Sequence, residues 1–236
     1  MTSEDQAAAP APPASPEPPA SPPKAPSQPR RTLLILAIVA VAIAAPITWH
    51  KQIRFRISPK NFGAVVPGAI YRGADQHINV LRKICDEHAI RTVVDLSGPD
   101  AEEDALCREL GIDRYAFDLP GDGRGDPAQW AAVLELVADP ARQPIFVHCA
   151  AGAQRTTTAM LLYRRYVEGG SFQAAYPESF DFRHEPGDDW VLMAFLADHA
   201  EQIEAIRRSG RVDRDGTEVS LDQIVGQALA TTPGRP

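Results

Sequence analysis

The sequence predicts an α/β domain, a mostly parallel sheet flanked by helices, over residues 61–209. Three observations predict it. RTVVDL (91–96) and IFVHC (145–149) are β-branched or apolar runs of strand length, too short for buried helices. Around them apolar residues recur at the three- and four-residue spacing of a helix face. Strands that alternate with helices need crossover connections, which leave neighbouring strands parallel and both sheet faces covered.

Element by element, AIYRG (69–73) reads as the first strand, and Ile78, Leu81 and Cys85 as the face of a helix closing at His88. RTVVDL is the next strand. Asp100 followed by Glu103 has the form of a capping box, for a helix that Gly111 ends. Tyr115–Phe117 is a third strand. Asp126-Pro127 opens a helix whose apolar face is Trp130, Val133, Leu134 and Val137. IFVHC is followed by a helix from Thr156 to Val167, with Met160, Tyr163 and Val167 on one face, and a long helix runs from Trp190 to about Arg208. Residues 210–236 hold a short helix near Leu221–Leu229 and carry no assigned role.

The N-terminal third is different in kind. Residues 1–31 contain ten prolines and seven alanines but no aromatic side chain, so they are expected to be a disordered spacer with nothing to bury. A docking site for a proline-binding module is the other reading. Then Leu33 to Trp49 reads LLILAIVAVAIAAPITW, 17 residues at the short end for a membrane span. A core helix would show a polar face, and a signal peptide would rarely follow so long a leader, so an uncleaved single-pass anchor is expected over 33–49. Pro46 should end its helix early and leave Trp49 at the interface. Lys24, Arg30 and Arg31 before it nearly balance Lys51, Arg54, Arg56 and Lys60 after it, so charge does not orient it. A net charge of −7 argues against nucleic acid as a partner, and three cysteines with no C-x-x-C pair argue against a disulfide framework or structural zinc.

The chemistry sits in VHCAAGAQRTTT (147–158). Cys149 ends a strand and Thr156 opens a helix. Between them Ala150, Ala151, Gly152, Ala153 and Gln154 are short or flexible enough for backbone N–H groups to curl around a phosphate-sized anion. Gly152 gives the tightest point its freedom. The same positive field would lower the Cys149 pKa and hold a thiolate. Arg155 can grip two phosphoryl oxygens through its planar fork, and Thr156 can donate its hydroxyl to the sulfur. His148 would orient the loop rather than act as base. A nucleotide P-loop is excluded here by the missing Gly-Lys-Ser/Thr.

HCAAGAQRT (148–156) resembles the H-C-x-x-G-x-x-R-S/T signature of cysteine-dependent protein tyrosine and dual-specificity phosphatases, and VVPGAIYRGADQ…AIRTVVDL is similar to the start of their bacterial periplasmic branch. The resemblance covers about 66–170. It implies a protein-tyrosine-phosphatase-like fold and hydrolysis through a phosphocysteine, with no metal or other cofactor. It also implies phosphotyrosine, and then phosphoserine or phosphothreonine, in a protein substrate, and an extracytoplasmic catalytic domain. Two positions depart from the pattern: Thr157 replaces a glycine and could crowd the helix start, and Gly73 replaces a serine.

The leaving oxygen needs a proton, so an aspartic acid should face the loop. FDLPGDGRGDP (117–127) offers Asp118, Asp122 and Asp126, lying 31, 27 and 23 residues before Cys149. Asp126 is explained as a helix cap. Asp122, on a glycine-flanked tip with the spacing of the bacterial branch, is the first candidate, and Asp118 the alternative. Cys85 and Cys107 are read as packing, His184 as solvated loop, and Arg72 as either a substrate contact or a surface residue. Ala150, Ala151, Ala153 and Gln154 carry no positive charge, which points to singly phosphorylated substrates rather than inositol phosphates or lipids. Competing readings are a silent phosphoprotein-binding module, an inositol-phosphate or lipid phosphatase, and a sulfur transferase of the rhodanese kind.

Overall fold

The computed structural model describes residues 29–48, 54–187 and 190–229. Residues 1–28, which make up most of the proline-rich tail, and Lys51 lie outside these, as does Trp49 at the end of the expected span. The chain divides into two units at Ala45/Pro46. In the first, α1 (Pro29–Thr48) is a helix where the anchor was expected, and its side chains are exposed from Thr32 to Ala45. No helix among the described residues is long and apolar enough to cross a membrane. Pro46 does not end the helix early, since α1 continues through it to Thr48.

The second unit begins with α2 (Arg54–Ile57) and β1 (Gly63–Val66), an edge strand that the sequence did not reveal because only Val65 of it is buried. Then follow β2 (Ile70–Ala74), α3 (Ile78–His88), β3 (Thr92–Asp95), α4 (Ala101–Leu110), β4 (Asp113–Ala116), α5 (Pro127–Ala138) and β5 (Ile145–Cys149). The sheet order is β1-β2-β5-β3-β4, antiparallel only at the β1–β2 edge. The expected caps are present: Asp100 accepts from the N–H groups of Glu102 and Glu103, Asp126 accepts from that of Ala128, and Gly111 closes α4 with φ +69°. Glu103 does not complete the capping box; its carboxylate turns into the interior.

After β5 come α6 (Gln154–Tyr166), α7 (Phe172–Ala175), α8 (Trp190–Ser209), β6 (Arg211–Arg214), β7 (Thr217–Ser220) and α9 (Leu221–Leu229). α6 starts two residues earlier than expected, so Arg155 and Thr156 lie in its first turn. Met160 and Tyr163 are buried on it, but Val167 is 40% exposed just past its end. One apolar cluster joins α5, α6, α8 and α9 to one sheet face, and a second joins α3 and α4 to the other. Leu221, Ile224 and Ala228 belong to the first cluster, so the segment after 209 contributes to the core. The hairpin before it was legible in RVDRDGTEVS: Asp215 (φ +52°) and Gly216 (φ +81°) both take the left-handed backbone that a two-residue primed turn needs.

Candidate active site

β5 is the middle strand, and its C-terminal end carries the chemistry, as parallel sheets favour. Side chains alternate along it. Ile145, Val147 and Cys149 face the cluster that includes α6, and Phe146 faces the one formed with α3 and α4. His148 stacks on Phe146 at 5.2 Å, on the side away from Cys149. This alternation is why His148 cannot serve as the base for its neighbour.

The residues of 149–156 close around the sulfur. Thr156 donates its hydroxyl to Cys149 Sγ at 3.2 Å. Burial opposes ionisation of the thiol, but the Thr156 hydroxyl and N–H, the Arg155 charge and the Gly152 N–H together bring its pKa below the ordinary value. Arg155 Nη1 donates to the carbonyls of Leu96 (2.9 Å) and Leu119 (3.1 Å). Its Nε is buried with no hydrogen-bond partner among the described residues, a donor not spent on the protein. Gln154 and Arg155 also contribute orphan N–H groups at the helix start. The Ala150 N–H is spent instead on Ser97 Oγ at 2.9 Å. Gly152 has φ +70°, and a Cβ there would lie 2.5 Å from the Ala74 nitrogen, so no other residue fits the turn.

Several supporting residues were not singled out from sequence, or were misread. Arg72 is neither exposed nor a substrate contact. It is fully buried, and its Nη2 donates to Gly152 O at 3.0 Å and Thr157 Oγ1 at 2.9 Å while the guanidinium lies 4.1 Å from the Phe182 ring centre. Burial lowers its pKa to about 10, which still leaves it charged. Thr157 therefore does not crowd the helix; it gives Arg72 an acceptor. Gly73 also has a reason, since a Cβ there would press on the Phe146 ring at 3.0 Å. Lys60 Nζ donates to Ala150 O (3.0 Å) and Asn61 Nδ2 to Ala151 O (2.9 Å). No local pattern marks those two residues; only the fold brings them across about ninety positions. Cys85 and Cys107 lie in the cluster on the far sheet face, and burial raises both thiols, that of Cys85 to about 12. His184 is buried against Tyr176 Oη at 2.8 Å rather than solvated.

Behind the cradle lies a buried charge network. His148 Nε2 meets Glu103 Oε1 at 2.9 Å, and Arg114 pairs with Asp95 and Asp104, each at 2.7 Å, and with Glu103 at 3.4 Å. Asp75, Glu103 and His148 place possible metal-ligand atoms within 4.8 Å of one another, but Glu103 holds His148 as an imidazolium, which has no lone pair to give. Burial works against that charge; Glu103, Asp95 and Asp75 outweigh it and raise the His148 pKa to about 9. A raised histidine pKa means stability fully present below the unfolded value of about 6.5 and lost as pH rises through about 9. The melting temperature should therefore fall from neutral pH toward pH about 10, and Glu103→Gln should flatten that slope. A wild-type melting temperature independent of pH over this range would refute the network's role.

The three aspartates have different surroundings. Asp126 caps α5 and pairs with Arg214. Asp122 is bound by Arg124, from Nε at 2.8 Å and Nη2 at 2.6 Å, and this pairing first of all lowers its pKa. Its loop reaches the cradle: Gly123 O accepts from Thr158 Oγ1 at 3.0 Å, in the first turns of α6. Asp118 is exposed and bridges to Ser97, the residue that holds the Ala150 N–H.

No curated protein matches. Among solved structures, the core catalytic domain of the PP-IP phosphatase Siw14 from S. cerevisiae, in complex with citrate, is 23% identical. The alignment covers 65% of this chain and 94% of that one, with a TM-score of 0.52, which shows the fold. TpbA of P. aeruginosa is 22% identical over 64% of this chain and 90% of its own, with a TM-score of 0.49. A sequence family described as "DSP-PTPase phosphatase fused to NAD+ Kinase" matches residues 68–187, half of the chain, including the whole cradle and the aspartate loop. The chain thus belongs to that family, among the cysteine-dependent dual-specificity and tyrosine phosphatases.

Proposed function

We propose that this chain hydrolyses phosphomonoesters of proteins, phosphotyrosine first and phosphoserine or phosphothreonine second, through a phosphocysteine. The observation that carries the reading is the Cys149 sulfur, which accepts the Thr156 hydroxyl and whose pKa is brought below the ordinary value, beside the guanidinium of Arg155. The thiolate attacks phosphorus, and the S–P bond forms as the bond to the leaving oxygen breaks. Arg155 and the loop N–H groups hold the equatorial oxygens. Asp122 gives its proton to the leaving oxygen and then takes one from the water that attacks phosphocysteine. Phosphate and the thiolate are released, the latter received by the Thr156 hydroxyl. For Asp122 to carry that proton, its carboxylate must separate from the Arg124 guanidinium, a movement that its flanking glycines support.

Asparagine variants test the assignment. Asp122→Asn is expected to lose roughly 10²-fold in turnover on a phosphoserine peptide and under tenfold on an aryl phosphate with a good leaving group. If Asp118→Asn shows that pattern instead, the proton belongs to Asp118.

The uncharged side chains at 150, 151, 153 and 154 support a single phosphate on the substrate. A second reading, inositol polyphosphates or phosphoinositides, is favoured by Lys60, whose ammonium lies at the cradle's edge, and by likeness to a structure described as a PP-IP phosphatase. Comparing kcat/KM on phosphotyrosine peptides, inositol polyphosphates and phosphoinositide vesicles separates them; a preference of tenfold or so for either inositol class would displace the protein reading. The exposed apolar α1 supports placing the protein at a membrane, and resemblance to the bacterial periplasmic branch supports a catalytic domain outside the cytoplasm. Full chain that stays in the supernatant after membranes are pelleted would remove that part.

A further inference from the structure

An anion cradle works only if its peptide planes are turned the right way, with N–H groups inward and carbonyls outward. In a trans peptide the C=O of one residue and the N–H of the next point in opposite directions. Whatever grips a carbonyl on the outside therefore aims the following N–H at the inside. Small residues make the loop easy to curl but leave this choice open, because alanine and glycine impose little preference of their own.

Three consecutive carbonyls of the loop are gripped from outside. Lys60 Nζ holds Ala150 O at 3.0 Å, Asn61 Nδ2 holds Ala151 O at 2.9 Å, and Arg72 Nη2 holds Gly152 O at 3.0 Å. The strap that carries the first two is itself fixed. The Lys60 N–H donates to Gln76 Oε1 (2.8 Å), and Lys60 O accepts from Gln76 Nε2 (2.7 Å) and the Ala74 N–H (3.1 Å). Asn61 takes φ +51°, a conformation asparagine tolerates, and its amide also donates to Phe182 O at 2.9 Å. Arg72 is anchored by Thr157 and Phe182.

We propose that Lys60, Asn61 and Arg72 are positioning residues that set the polarity of the cradle. By holding the carbonyls of 150, 151 and 152 outward, they turn the N–H groups of Ala151, Gly152 and Ala153 toward the sulfur and the bound anion. In keeping with this, the Gly152 N–H, which Asn61 aims through Ala151, is one of the groups that lower the Cys149 pKa. Part of the anion site is thus built by residues far from the cysteine loop in sequence. It also explains Thr157, which anchors the third of the three grips. The proposal rests on the phosphatase reading only for the identity of the anion, not for the orientation of the peptides.

The test uses the full chain with two mild substitutions. Lys60→Met keeps the aliphatic stem and removes the donor; Asn61→Gly keeps the left-handed backbone and removes the amide. Both should keep the wild-type melting temperature within a few degrees. Asn61→Gly should raise the pH midpoint of Cys149 alkylation by iodoacetamide by about half a unit or more, because the Gly152 N–H is no longer aimed at the sulfur. Each variant should bind orthovanadate about tenfold more weakly, through misdirected donors. Asn61→Gln, which restores a donor on a longer arm, should recover part of the alkylation shift. Folded variants with an unmoved alkylation midpoint and unchanged vanadate affinity would overturn the proposal. If the wild-type chain hydrolyses no phosphomonoester, the phosphatase reading falls, and the alkylation midpoints still decide the strap.

Discussion

Cys149→Ser should lose on the order of 10⁴-fold or more in turnover on an aryl phosphate while keeping its fold and its affinity for phosphate esters. A serine hydroxyl fills nearly the same space on a buried strand end, so packing gives no reason for unfolding. What it lacks is ionisation. The contacts that bring the thiol below its ordinary pKa are the Thr156 hydroxyl, the Thr156 and Gly152 N–H groups and the Arg155 charge. They act on a group that starts within reach of neutral pH; an alcohol starts far above it. The same donors remain available to a phosphate, so the variant should hold substrate without turning it over. Steady-state hydrolysis and direct binding of a phosphopeptide by the same preparation check both halves. A serine variant as active as wild type would remove the phosphocysteine mechanism, and an inert wild type that binds phosphopeptides would leave only a binding module. An assay for thiosulfate cleavage disposes of the sulfur-transfer reading.

Arg155→Lys should cost roughly 10²- to 10³-fold in kcat, with a smaller change in KM. Nη1 is committed to two backbone carbonyls, Leu96 O and Leu119 O, which lock the guanidinium plane against the ends of β3 and β4. The unpartnered Nε sits in that same plane. A phosphoryl group gains most from two parallel donors when its equatorial oxygens spread in the transition state. Lysine offers one point charge on a flexible stem and cannot both bond the carbonyls and bracket two oxygens. The kcat effect should therefore exceed the KM effect in an initial-rate series. A lysine variant within about tenfold of wild type in kcat would mean that the loop amides alone carry the charge.

Sequence reading succeeded where the signal is local. Strand β5 and helix α9 have the bounds that their apolar runs suggested, and Asp100, Gly111 and Asp126 cap the helices they were expected to cap. It missed β1, whose few residues are half exposed, and the β6–β7 hairpin, whose Asp-Gly turn was in plain view. It misassigned residues whose partners are distant. Glu103 has capping-box spacing, yet burial beside His148 and Arg114 offers its carboxylate stronger partners than an exposed N–H. Arg72 read as either a substrate contact or a surface arginine because nothing nearby in sequence announces Thr157, Gly152 or Phe182. For the 33–49 run, composition suggested a helix that Pro46 would end early, and the helix instead continues through Pro46 to Thr48.

The sequence by itself determined the reactive set: a cysteine at the end of an apolar strand, small residues after it, then Arg155 and Thr156 at a helix start. These lie within eight positions, and the strand–loop–helix geometry that unites them is a local property of the chain. The tertiary structure alone decided how that set is held. His148 faces away from Cys149 into a buried charge network, Asp122 is tied to Arg124, and Lys60, Asn61 and Arg72 grip the outside of the loop. The physical reason is that a carbonyl's direction depends on which donor reaches it. Those donors come from β2 and the segment before β1, which only sheet pairing and packing bring to the end of β5.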